Sequence, residues 1–232
     1  MPEDLRAELE EDLLWRQEEI AFLKNQLNNI SDDNQKDRYR KSLVMMLYSH
    51  FEGYTKISLQ TYIKFLNELE ILCSDVNSKL IASTLNDEFN AYDNLDKKNQ
   101  YFKTELPRDE KLHRFCRRTD LISEMNGFLE KVVYLKDSTI NTESNLRSIV
   151  LKKNLYRLGL PLDLFEEYSK DIDALVNRRN AIAHGDSRSG IRESEYSNWE
   201  NKIYRVMTGM SAILYEYALH EKYLADSKLI GD

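Results

Sequence analysis

Asn177-Arg178-Arg179-Asn180-Ala181-Ile182-Ala183-His184-Gly185 closes a helix-patterned segment that begins near Asp163. Upstream, Phe165, Tyr168, Ile172 and Leu175 recur every three or four residues, which marks the buried face of an α-helix. The same spacing runs on through Arg179 to Ile182. A guanidinium thus takes a place that the pattern gives to the inner face, where an unpaired charge is very costly. It has to meet a carboxylate, line a wet cleft or point into an interface. His184 follows five residues later, and Gly185 supplies the left-handed residue that ends a helix. The imidazole then sits in the last turn, where the helix dipole favours its charged form. Arg179 and His184 are about 7.5 Å apart along the axis at 1.5 Å rise per residue. That span suits a phosphodiester held between a fixed cation and a proton donor or acceptor. The plainer alternative is an arginine in a buried ion pair and a histidine that only caps a helix.

Working outward, helical periodicity dominates the chain. Leu5, Leu9, Leu13, Ile20, Phe22, Leu23, Leu27 and Ile30 mark a first helix from Glu3 to Ile30, entered through Pro2 and an acidic first turn. Ser31-Asp32-Asp33-Asn34 ends it and can cap the next, expected from Asp37 to Leu72. Gly53 lies in the middle of that second helix, where glycine costs about 1 kcal/mol relative to Ala. It marks either a close helix approach or a kink. A short helix from Ser78 to Leu85 leads into a polar, weakly periodic stretch, residues 87–106, read as a loop insert. Pro107-Arg108-Asp109-Glu110 starts a helix expected to reach Tyr134. Another runs from Leu146 to Leu155 and is closed by Gly159 and Pro161. After the Arg179–His184 segment, a Ser- and Gly-containing loop leads to a last helix from Glu193 to about Asp226. No repeat and no strand-like alternation is evident. The expectation is one all-α domain over residues 1–232, an antiparallel bundle of four or five helices with an extra long N-terminal helical segment, residues 1–33.

Composition agrees. Only 7 Gly and 3 Pro occur in 232 residues, far below the usual share, and turns and hairpins depend on both. With 41% hydrophobic and 31% charged residues, and 14 Tyr, 8 Phe and 2 Trp, the chain can build a core and is not a disordered tail. A net charge of -7 excludes a generally basic nucleic-acid coat but leaves room for a local basic site. Cys73 and Cys116 stand apart with no metal-ligand spacing, so no metal, cofactor or disulfide is expected, and a reducing compartment is. The acidic N-terminus has no apolar stretch like that of a signal peptide, and no segment reaches membrane-spanning length. The expected location is cytoplasmic, away from membranes. Phosphate loops, HExxH and GxSxG are absent, and His50, His113, His184 and His220 are widely separated. His113 and His220 are read as surface residues.

Arg179-Asn180-Ala181-Ile182-Ala183-His184, near the end of the penultimate long helix of an all-helical chain, resembles the Arg-x(4–6)-His motif of HEPN domains. Trp15-Arg16-Gln17-Glu18-Glu19-Ile20, Leu47-Tyr48-Ser49-His50-Phe51-Glu52-Gly53-Tyr54, and Ser144-Asn145-Leu146 followed by Leu158-Gly159-Leu160 extend the likeness across nearly the whole chain. These pieces look like the MAE-like branch of HEPN nucleases. The resemblance implies a metal-independent endoribonuclease, active as a homodimer, in which two Arg/Asn/His motifs face each other across one composite site. It implies an RNA substrate and a role in a toxin–antitoxin or anti-phage defence system, with an antitoxin or other protein partner. The other class left open is a catalytically silent HEPN module that binds nucleotide, RNA or a partner protein. Asp186 stands where HEPN toxins neutralised by nucleotidyltransferase antitoxins tend to carry Tyr.

The residues fit cleavage chemistry in their own right. Attack by an RNA 2′-hydroxyl needs a base for that hydroxyl and an acid for the leaving 5′-oxygen. Each chain offers one well-placed histidine, so a two-fold axis would supply the second. Arg179 would neutralise charge on the phosphate, and Asn180 would bind it or orient His184. Arg178 also fits the motif's range, although Asn180 and the apolar register favour Arg179. The HEPN resemblance implies that Glu52 and Lys56, an i,i+4 pair, orient Arg179, whereas their spacing alone reads as an ordinary solvated helix pair. His50 and Trp15-Arg16 belong either to that supporting shell or to simple packing. Arg188 and Arg192 are candidate RNA contacts.

Overall fold

The computed structural model describes residues 1–102 and 109–225. Eight α-helices make up the fold, with no strand among the described residues. They are α1 (Pro2–Asn25), α2 (Asp33–Glu68), α3 (Ser78–Thr84), α4 (Asn86–Asp93), α5 (Glu110–Phe128), α6 (Ser148–Arg157), α7 (Ser169–Ala183) and α8 (Glu193–Leu219). None is long and apolar enough to cross a membrane.

Four of them form the bundle. Tyr39 at the start of α2 donates to the Leu23 carbonyl near the end of α1, while Lys64 near the end of α2 pairs with Glu8. The two helices are therefore antiparallel. Arg6 over the Tyr215 ring and Lys24 paired with Glu200 set α1 antiparallel to α8 as well. Lys202 to Asp171, with Phe165 against Gly209, does the same for α7 and α8. The core between them is filled by Leu43, Leu47, Phe51, Leu59, Leu175, Ile203, Val206 and Leu214, all essentially inaccessible. Each such side chain contributes about 1.5–3 kcal/mol on burial. The N-terminal helix is a full member of this bundle, for Leu5, Leu9, Leu13 and Ile20 are buried in the same core.

Helix ends follow local chemistry. The Asp32 side chain accepts from the Gln35 N–H and starts α2 four residues earlier than the apolar stripe alone suggests. Asp109 does the same for α5 through the Leu112 N–H, while Pro107 and Arg108 lie outside the described residues. Asp226, the expected end of the last helix, also lies outside them; α8 stops at Leu219.

Beyond these shifted ends, α7 begins at Ser169 rather than near Asp163, after a 3₁₀ turn at Glu166–Tyr168, and two further stretches differ from the sequence expectation. The expected loop insert opens with α4, whose Asn86–Asp93 run packs against α5. Its periodicity is weak because it buries no side chain fully. The helix expected to reach Tyr134 ends at Phe128, and the chain then extends along residues 71–74, with Val133 N–H bonded to the Ile71 carbonyl and Cys73 N–H to that of Lys131. Val133 and Leu135 are buried here and Val132 and Tyr134 exposed, a two-residue alternation too short to stand out beside α5.

Candidate active site

α7 ends in a Schellman motif. The Asp186 N–H reaches the Ala181 carbonyl at 2.9 Å and the Gly185 N–H that of Ile182 at 3.1 Å, with Gly185 at φ +77°. His184 is the C-cap residue, its backbone held by the Asn180 carbonyl, and its side chain is exposed. The imidazole makes no hydrogen bond or ion pair among the described residues.

Arg179 resolves its inner-face position without a carboxylate. Its guanidinium lies over the ring of Tyr48 from α2, 4.3 Å from the centroid, and Nη1 donates to Asn180 Oδ1 at 2.8 Å. No carboxylate pairs with it among the described residues. A cation over an aromatic face is stabilised by about 0.5–2 kcal/mol, and the rest of the guanidinium's five donors stay unspent. Asn180 has used its oxygen and keeps its amide N–H groups.

Tyr48 is the platform. Its hydroxyl accepts from the Leu146 N–H at 2.8 Å. Burial, with the neighbouring Glu52 carboxylate, pushes that hydroxyl up to about 12, against the opposing pull of Leu146 and Arg179. Glu52 forms no ion pair with Arg179 among the described residues. Lys56 is exposed and makes no ion pair with Glu52. The segment carrying Leu146 is strained: consecutive Glu143 and Ser144 adopt φ of 51° and 61°, in the left-handed region that non-glycine residues rarely enter. Asn145 beside them buries its Oδ1 without a partner. Arg147 then bonds Asn177 of α7 at 2.8 Å, and Asp173 of α7 caps the start of α6 through Ser148.

Arg178 does something else. It points to the loop after α7, donating to the Gly190 carbonyl at 3.1 Å with Glu195 4.0 Å away. Lys41 holds the same loop through the Ser187 carbonyl at 2.6 Å, and Arg40 through that of Ile191. Gly190 passes so close to α2 that a Cβ would stand 2.5 Å from the Asp37 side chain. On this pinned loop, Arg188 and Arg192 are exposed.

The other candidates lie apart. Arg16, 5% exposed, is bound by Asp12 at 2.7 Å, stacks on Trp15 and stands 3.5 Å from His50 Nδ1, while His50 Nε2 lies 3.0 Å from Glu19. No hydrogen bond or ion pair joins this α1–α2 cluster to Arg179, Asn180 or His184. It also accounts for Gly53, where a Cβ would come 2.8 Å from Arg16 Nη1: the glycine permits a close approach. His113, expected at the surface, is instead 4% exposed and accepts from the Asn99 N–H, because residues 94–102 fold back over α5. His220 is exposed as expected. Tyr48 was visible only as part of a landmark string; its role had no separate sequence signal. Among the described residues, no group of three or more His, Cys, Asp or Glu could hold a metal ion.

Neither the curated proteins nor the solved structures contain a significant match to this chain. A protein-family comparison does match: the family described as RiboL-PSP-HEPN aligns with residues 11–216, from the first helix through α8. That span takes in α2, the Ser144-Asn145-Leu146 segment and the whole Arg179–His184 motif. The chain therefore belongs to the RiboL-PSP-HEPN family of HEPN domains.

Proposed function

We propose that this HEPN protein is a metal-independent endoribonuclease whose reacting groups are Arg179, Asn180 and His184, completed by the same residues of a second copy. HEPN domains are often ribonucleases. The observation that carries the reading here is the state of Arg179: a guanidinium on an aromatic face, beside an asparagine and short of any carboxylate. An anion is the missing partner, and an RNA phosphodiester supplies it.

In this reading one His184 accepts the proton of the 2′-hydroxyl as that oxygen attacks phosphorus. The other gives a proton to the departing 5′-oxygen, leaving a 2′,3′-cyclic phosphate. Arg179 and the Asn180 amide stabilise charge on the non-bridging oxygens. Arg178 serves as the clamp on the 185–192 loop rather than as the phosphate ligand, and Glu52 fixes Tyr48 beneath Arg179. Arg188 and Arg192, exposed on the pinned loop, extend the cationic surface for RNA. A role in defence or as a toxin accords with such an activity, its antitoxin or partner protein being a binder of the same surface.

Purified protein is expected to cleave RNA in EDTA and leave cyclic-phosphate ends. Arg179→Ala and His184→Ala should each lose at least about 100-fold. Undiminished cleavage by either variant, or a folded wild-type protein inert on every RNA pool, overturns the proposal. The second outcome leaves the silent binding module.

A further inference from the structure

A cavity of about 720 Å³ lies at the end of α6 opposite the one that meets α7. It opens between α3, the start of α4, the extended 131–136 segment and the end of α6. Its volume is that of a small-molecule site.

Its walls carry an unusual charge balance for a chain of net charge -7. Lys131 and Lys136 are each neutralised, by Glu88 and Asp87 respectively. Lys79 and Arg157 are not: neither has a carboxylate partner among the described residues. Arg157 donates through Nη1 to the Thr139 carbonyl at 3.2 Å, which fixes the group while leaving other donors for a ligand. Lys79 rests its ammonium 5.9 Å from the centre of the Tyr156 ring. One hydrogen-bonded cation, Arg157, and one exposed cation, Lys79, therefore line the same cavity with no carboxylate partner among the described residues.

Aromatic surface stands beside them. Tyr134 is 63% exposed and Tyr156 54%, though each lies on a wall of the cleft. The alternation that buries Val133 and Leu135 forces Tyr134 outward, and Tyr156 projects from the last turn of α6. Flat rings bordering unpaired cations provide what one nucleotide unit needs: a face for the base and charge for its phosphate. A bare phosphate would use the cations and leave the rings idle. An apolar ligand would do the reverse.

We propose that this cleft binds a phosphorylated nucleoside, free or as one unit of an RNA strand, with its base against Tyr134 and Tyr156 and its phosphate on Lys79 and Arg157. The site goes beyond the Arg179–His184 reading and does not depend on it. Binding is measured on the full chain carrying His184→Ala, so that cleavage plays no part. The probes are adenosine monophosphate and a short single-stranded RNA, each followed by titration calorimetry.

Replacing both Tyr134 and Tyr156 by Ala is expected to weaken binding by about tenfold or more. Arg157→Gln should do the same, Tyr134→Phe should retain binding, and Lys64→Gln, which does not line the cleft, should change nothing. Loss in the mononucleotide titration identifies a free nucleotide as ligand; loss confined to the RNA titration identifies a strand subsite. Failure of both probes to bind, or equal affinities in the double Tyr variant and its parent, overturns the assignment. Circular dichroism of the double variant guards against misfolding, which two half-exposed surface rings should not cause.

Discussion

Asp12→Ala should destabilise the fold by about 3 kcal/mol, because it orphans the most deeply buried arginine of the bundle. The Arg16 side chain is 6% exposed and that of Asp12 16%. Asp12 accepts from Arg16 Nε at 2.7 Å, from Nη2 at 3.2 Å and from Trp15 Nε1 at 2.9 Å. Removing one partner of a buried pair costs about 3–5 kcal/mol, since the remaining charge is left dry. The lower end applies because the Trp15 face still receives the cation, 4.6 Å from its centre, and Asp12 borders solvent. Domains are stable by only about 5–15 kcal/mol, so the loss is large. Urea unfolding at fixed chain concentration measures it, the concentration being held because association shifts the midpoint. The double variant Asp12→Leu with Arg16→Met removes both charges and should return to within about 1 kcal/mol of wild type. A single variant as stable as wild type would show that Arg16 is not dependent on Asp12. A double variant as damaged as the single one would assign the cost to lost packing instead of lost charge pairing.

Two further outcomes follow from neighbouring groups. Burial and the Arg16 charge hold His50 below its ordinary 6.5, against the opposing pull of Glu19 and Asp12. Below that value the unfolded chain takes up a proton that the native chain resists, so stability should fall as pH drops below about 6.5. His50→Gln should flatten that slope in urea unfolding, and an unchanged slope refutes the attribution. Gly185→Ala forces a side chain into φ +77° with open space around it, which should cost about 1 kcal/mol without unfolding the protein. Because it disturbs the turn that presents His184, RNA cleavage should drop more than that stability loss explains; full activity would separate the turn from the reaction.

The bundle was legible because its signals are local and periodic. The stripes of α1, α2 and α8, the Asp32 cap and the Gly185 terminator are all written within one or two helical turns. α4 was not, since it buries no complete side chain and so has no apolar stripe to read. The break at Phe128 escaped notice for a related reason: the pairing of Val133 with Ile71 is a contact across sixty residues of sequence. The Arg179 anomaly was visible as a charge in an apolar row, but its resolution on Tyr48 depends on how α2 and α7 pack. The burial of His113 has no sequence signal because the chain that covers it, residues 94–102, has no periodicity to reveal its position. The sequence landmarks suggested the MAE-like branch, whereas the matching family is RiboL-PSP-HEPN; the shared motif marks HEPN domains at large.

Mixing wild-type and His184→Ala chains tests the two-copy site most directly. If each cleavage event needs an imidazole from both copies, activity follows the square of the wild-type fraction, so an equal mixture keeps about one quarter of full activity. Activity that falls only in proportion to the wild-type fraction, to about one half in the same mixture, would mean that a single chain carries the whole reaction.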